Sequence, residues 1–148
     1  MRVVAVGELP GLVGQDLGVS DWITIDQDLI DRFAALSDDH QWIHVDVERA
    51  KSEIGGTIAH GFLTLSMMSR LMAQIVRITG YTRSINYGCN KLRFTGTVPA
   101  GARLRMRAKL LAVDSKPDRV IMTRECMMEV DGAEKPVLYA EWLTLLVI

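Results

Sequence analysis

Residues 60–79 read His-Gly-Phe-Leu-Thr-Leu-Ser-Met-Met-Ser-Arg-Leu-Met-Ala-Gln-Ile-Val-Arg-Ile-Thr, and they decide the fold. The spacing predicts one long helix. Ser66, Arg70, Gln74 and Arg77 fall at i, i+4, i+8 and i+11, a single narrow polar stripe. Phe62, Leu63, Leu65, Met67, Met68, Leu71, Met72, Ile75, Val76 and Ile78 cover the rest of the circumference. A helix apolar over most of its surface has to be wrapped on several sides. Its methionines are read as core packing rather than as a soft ligand surface, and Gly80 supplies the C-terminal stop.

Downstream of Gly80 the period changes from helical to alternating. Ser84 to Phe94, Arg103 to Val113, Val120 to Val130 and Val137 to Ile148 each read as a long strand. Pro99-Ala100-Gly101, Lys116-Pro117-Asp118 and Asp131-Gly132 are short connections that suit an antiparallel meander. Upstream, Trp22 to Ile25 reads as a short strand, and Asp26 is placed to cap a helix from about Gln27 to Ser37. Asp46 is placed to cap a short helix that Gly55-Gly56 ends. One long buried helix with four or five long strands predicts an α+β hot-dog fold, a central helix wrapped by a curved antiparallel sheet of about five strands. Arg103, Arg105 and Arg107 share one strand face, read as solvated, with an anion-binding ribbon as the alternative.

Composition excludes more than it identifies. A chain of 148 residues is one typical domain and needs no disulfide or metal staple to fold. With 17 Lys plus Arg against 18 Asp plus Glu, the basic excess expected of a nucleic-acid partner is missing. Cys89 and Cys126 have no metal-binding spacing and are read as reduced thiols. The N-terminal residues lack the pattern of a signal peptide, and Arg70, Gln74 and Arg77 interrupt the most apolar stretch. The expectation is a cytoplasmic protein with no membrane span.

Unusual residues concentrate between Ser37 and Gly61, where all three histidines of the chain lie. Asp39 and His44 are five apart, about 140° around a regular helix. They can converge only across a loop, and helical periodicity breaks down after Ser37. The stretch Phe33-Ala34-Ala35-Leu36-Ser37-Asp38-Asp39-His40-Gln41-Trp42-Ile43-His44-Val45-Asp46, followed by Ala59-His60-Gly61, resembles the MaoC-like dehydratases, the (R)-specific enoyl-CoA hydratases of the hot-dog superfamily. Gln41 to His44 and Ile85 to Phe94 match the wording of the nodulation protein N-like subgroup. The resemblance runs through nearly the whole chain and implies a single MaoC-like hot-dog domain over residues 1–148.

The resemblance carries the catalytic acid/base pair onto Asp39 and His44. It places the oxyanion-donating, substrate-binding glycine at Gly61 and, as in some members, a supporting serine at Ser69. Gln41 and Trp42 depart from the commoner Asn-Pro wording, a difference that falls beside the Asp and bears on acyl-chain preference. The implied reaction is reversible addition of water to trans-2-enoyl-CoA, giving (R)-3-hydroxyacyl-CoA, in a homodimer. No cofactor is implied, since coenzyme A is part of the substrate. A hot-dog acyl-CoA thioesterase and a non-catalytic acyl-thioester-binding module are the alternatives. No metal site is expected; the alternative reading takes His40, His44 and His60 as ligands. Lys91 and Arg93 are read as an exposed strand edge, with contact to coenzyme A phosphates as the other reading.

Overall fold

Alternation governs the centre of the molecule. In β6 (Ala102–Lys116), Leu104, Met106, Ala108 and Leu110 are buried while their neighbours are not. β7 (Arg119–Val130) buries its even residues from Val120 to Met128, and β8 (Leu138–Val147) buries its even residues from Leu138 to Leu146. One face of this antiparallel sheet is therefore apolar and must be covered. The computed structural model describes residues 1–148. It covers that face with the helix Gly61–Ile75.

Six strands make the sheet. β2 (Asp16–Val19) and β3 (Ile23–Ile25) both pair with β6, followed by β7, β8 and finally β5 (Arg83–Phe94) at the far edge. This is the hot-dog arrangement, with one strand more than the sequence suggested. It also corrects the simple meander. β6, β7 and β8 are consecutive hairpins, but β5 pairs with β8 rather than β6. Residues 95–101 therefore carry the chain across from one edge to the other side of the sheet. That crossover is pinned by Thr95 N–H to Val137 O at 2.9 Å and Ala59 N–H to Val98 O at 2.8 Å.

Four helices follow in chain order: α1 (Gln27–Ser37), α2 (Trp42–Val45), α3 (Val47–Ile54) and α4 (Gly61–Ile75). The expected caps are present. Asp26 accepts from Leu29 N–H at 2.9 Å, and Asp46 accepts from Arg49 N–H at 3.0 Å. α4 is shorter than the predicted 60–79. Val76, Ile78 and Thr79 are β-branched, and Val76–Thr79 forms β4, a parallel pair with β1 (Arg2–Ala5). Leu63, Met68, Leu71, Met72 and Ile75 are buried on α4, each worth about 1.5–3 kcal/mol of burial at most. No helix is long and apolar enough to cross a membrane.

The arginine row is an outer face, and it is ion-paired. Glu129 bridges Arg105 (2.7 Å) and Arg107 (3.2 Å), Asp131 pairs with Arg103, and Arg105 also lies over the Trp22 ring. It offers no unpaired anion ribbon. Cys89 is exposed and Cys126 is buried, and both are free thiols.

β5 is irregular. Its pairing with β8 skips one residue at Tyr87 and one within Lys91–Leu92, and Lys91 takes a left-handed φ of 51°. The second bulge brings Phe94 over the start of α4, edge-on to Phe62 at 5.8 Å.

Candidate active site

Asp38, in the left-handed region at φ 56°, ends α1 and turns the chain sharply. Asp39 follows, half-buried, and then the single turn of α2 presents His44 inward, where it is 5% exposed. The next strand-like segment, residues 57–60, lies across α2. Its Ile58 N–H bonds Ile43 O at 3.0 Å, and Ile58 O faces His44 Nδ1 at 2.6 Å. A carbonyl only accepts, so Nδ1 carries the hydrogen, and in the neutral ring Nε2 is left bare as a base. Gln27 on α1 donates to His44 O at 2.8 Å and itself accepts from Thr57 Oγ1, tying α1, α2 and the 57–60 segment together.

His60 precedes α4 and is 3% exposed. Its ring stacks on that of His44 at 3.8 Å and 24°, and Phe33 closes its other side at 5.0 Å. His60 Nε2 donates to the backbone carbonyl of Asp39 at 2.9 Å, while Nδ1 is buried with no partner. In the sequence, His60 suggests only a metal ligand. The structure gives it a different place: it fixes the backbone of one proposed catalytic residue and the ring of the other. The Ala-His-Gly wording was the only available signal.

Asp39, His44 and His60 each bring a donor atom within 4.8 Å of the others. His40 does not join them. It is exposed and lies 3.4 Å from Asp38. By donor type the three could hold a divalent ion, and the His44 and His60 rings within the group are stacked at 3.8 Å. Gln41, the departure from the family wording, donates to Asp39 Oδ1 at 3.2 Å. That bond, helped by Gln41's backbone and by the two imidazoles, holds the Asp39 carboxyl below its usual range. Trp42, the other departure, lies under the Arg49 guanidinium at 4.1 Å.

Gly61 is the first residue of α4, so its amide is one of the N–H groups that the helix cannot satisfy, at the positive end of the helix dipole. A cavity of about 460 Å³ is lined by both Gly61 and His44, with Thr64, Phe94, Val98 and Val137. A Cβ on Gly61 would sit 3.1 Å from the Phe94 ring, so the glycine keeps the amide open beneath that ring. Asp39 comes within 4.8 Å of His44 but does not line this cavity, and Ser69 lies further along α4 in the wall of another one. Lys91 is paired with Glu141 at 2.7 Å, which favours the strand-edge reading for it.

The sequence matches the family profile described as MaoC like domain over residues 8–129. It is 42% identical over 139 residues to 3-hydroxyacyl-thioester dehydratase Z of Mycobacterium tuberculosis, covering 93% of this chain and 92% of that protein. Nodulation protein N of Rhizobium leguminosarum bv. viciae is 40% identical over 150 residues, covering 99% and 93%. The solved (R)-hydratase from A. caviae involved in PHA biosynthesis is similar with a TM-score of 0.72 at 26% identity, over 89% of this chain and 94% of that one.

Proposed function

The chain belongs to the MaoC-like domain family of hydratases and dehydratases, and from that premise we propose that it interconverts trans-2-enoyl-CoA and (R)-3-hydroxyacyl-CoA. The observation that carries the reading is the shared cavity, which places a histidine and a free helix N-terminal amide around one space. In the hydration direction, Asp39 and His44 hold a water as acceptors. His44 Nε2 takes one proton of the water as its oxygen adds to C3, and the imidazolium so formed returns that proton to C2. Acid–base help of this kind is worth ~10²–10⁴-fold. Negative charge gathers on the thioester oxygen, where the Gly61 amide donates to it. Such a donor contributes about 2.7–4 kcal/mol. Dehydration is the same path reversed. Coenzyme A enters as part of the substrate, and no step calls for a separate cofactor.

A homodimer is part of the proposal. β5 has no strand on its outer edge, and Phe62, Ile85, Tyr87 and Phe94 are exposed along that side, an unprotected edge that a second copy would cover.

The test is to supply crotonyl-CoA and longer enoyl-CoAs while following enoyl absorbance together with free-thiol release. Loss of absorbance without thiol is expected. Thiol release without hydration would make the chain a thioesterase, and no turnover at any chain length would make it a binding module. Asp39→Asn and His44→Ala are each expected to stay folded and lose at least about a hundredfold in turnover.

A further inference from the structure

His44 is held at both its ring and its carbonyl, and a side chain outside the reaction cavity completes the hold. α2 is a single turn, so its last carbonyls have no partner within the helix and must find one elsewhere. Trp42 O is met by Asp46 N–H at 3.0 Å and Ile43 O by Ile58 N–H at 3.0 Å. His44 O is met by the side chain of Gln27, the first residue of α1, at 2.8 Å. The His44 ring donates from Nδ1 to Ile58 O, and the residue before Ile58 is Thr57, whose hydroxyl donates to Gln27 Oε1. Gln27, His44, Ile58 and Thr57 therefore close a loop of hydrogen bonds around the proposed base. Thr57 is buried, and its carbonyl is tied down in turn by Ala100 N–H at 2.9 Å.

The loop admits one orientation of the Gln27 amide. Asp31, one turn along α1, accepts from the same nitrogen, Nε2, at 2.8 Å. Both amide hydrogens are thus used, one on the Asp31 carboxylate and one on His44 O, and the oxygen is left for Thr57. Turned over, the amide would set its oxygen against two groups that only accept. Gln27, Asp31 and Thr57 do not line the cavity that His44 and Gly61 share, so their effect on the reaction passes through His44. We propose that Gln27 is a positioning residue: oriented by Asp31 and Thr57, it sets where His44 Nε2 stands in that cavity. The proposal rests on the hydratase reading of His44.

Gln27→Leu keeps the bulk and removes both polar ends. In steady-state hydration of crotonyl-CoA, kcat should fall about 10–100-fold while KM stays within twofold, because a misplacement of about 1 Å can cost ~10²-fold. Thr57→Val should lower kcat severalfold, and Thr57→Ser, which keeps the hydroxyl, should restore it. Since the two side chains act as one unit, Gln27→Leu with Thr57→Val should lose no more than Gln27→Leu alone. Asp31→Ala, at an exposed position, should lower kcat severalfold, which decides the matter even where Gln27→Leu does not fold. The proposal is overturned by a kcat within twofold of wild type in Gln27→Leu or Asp31→Ala, or by a loss confined to KM. It is equally overturned by losses that multiply in the double variant, or by a Thr57→Ser protein as slow as Thr57→Val. A wild type that hydrates no enoyl-CoA would instead overturn the hydratase reading. Nitrogen-15 spectra of the histidine rings then test Gln27 alone: Gln27→Leu should move the His44 ring signals away from the Nδ1–H form of the wild type, and unchanged signals would overturn the positioning role.

Discussion

Replacing His60 by phenylalanine keeps the ring that stacks on His44 but removes both nitrogens. Two stability effects then oppose each other. The 2.9 Å bond from Nε2 to the Asp39 carbonyl is lost, at about 0.5–1.5 kcal/mol. The buried, unpartnered Nδ1 is also removed, relieving about 1–3 kcal/mol. The sum lies between a loss of about 0.5 and a gain of about 2.5 kcal/mol. At roughly 2–4 °C per kcal/mol for a chain near this length, the midpoint should hold or rise by several degrees. Activity should move the other way. Without its anchor the Asp39 backbone is free to drift, and a misplacement of about 1 Å can cost ~10²-fold. Steady-state hydration of crotonyl-CoA should therefore fall about 10–100-fold in kcat, with far-ultraviolet circular dichroism and the melting curve unchanged or improved. His60→Gln, which can still donate to that carbonyl, should recover part of the loss. Turnover within twofold of wild type, or a midpoint lowered by more than about 5 °C, would refute the role given to His60.

Gln41→Leu removes the bond that holds the Asp39 carboxyl low. The proposed role of Asp39 needs its ionised, acceptor-only form, so activity is lost as pH falls through its pKa, and the acid limb of the pH–rate profile should move to higher pH in this variant. Gly61→Ala places a methyl 3.1 Å from the Phe94 ring at the mouth of the oxyanion donor; kcat/KM should drop at least tenfold, and Phe94→Leu in the same chain should restore part of it. Light scattering is expected to give twice the chain mass, and Tyr87→Lys on the open edge of β5 should shift the protein toward the single-chain mass. Cys126 is buried and its thiol is pushed up to about 12, while Cys89 is exposed. A thiol reagent added to the folded protein should therefore leave one adduct per chain, located at Cys89 by mass spectrometry.

Where local rules and tertiary demands agreed, the sequence was legible. The Asp26 and Asp46 caps needed only a short polar side chain before an amphipathic run, and β6 to β8 alternated because one face meets α4 and the other meets solvent. The end of α4 was not legible. Val76 to Thr79 continues an apolar pattern that fits both periods, and its strand state depends on β1, more than seventy residues away. The position of β5 was equally hidden, because hairpin-like connections give no information about a crossover of residues 95–101. At the site, the proposed pair, Asp39 and His44, stands in a local motif. The stacking of His60 on His44 could not be read there, since it depends on how the 57–60 segment crosses α2.

The two bulges of β5 have a genetic consequence. Each inserts one residue relative to β8, so each reverses which side of the sheet the later side chains occupy. Ser84 and Asn86 share a face with Thr144 and Leu146, Cys89 shares that face with Trp142, and Phe94 returns to it beside Leu138. Even, then odd, then even positions point inward, and the two reversals cancel. Deleting Tyr87 would remove the first bulge and leave every later pair with β8 in place, Phe94 opposite Leu138 included. Deleting one residue of Lys91–Leu92 would do the same at the second bulge. β5 should therefore accept a one-residue deletion at either bulge, where the same deletion inside the regularly paired β7 would move a buried face into solvent.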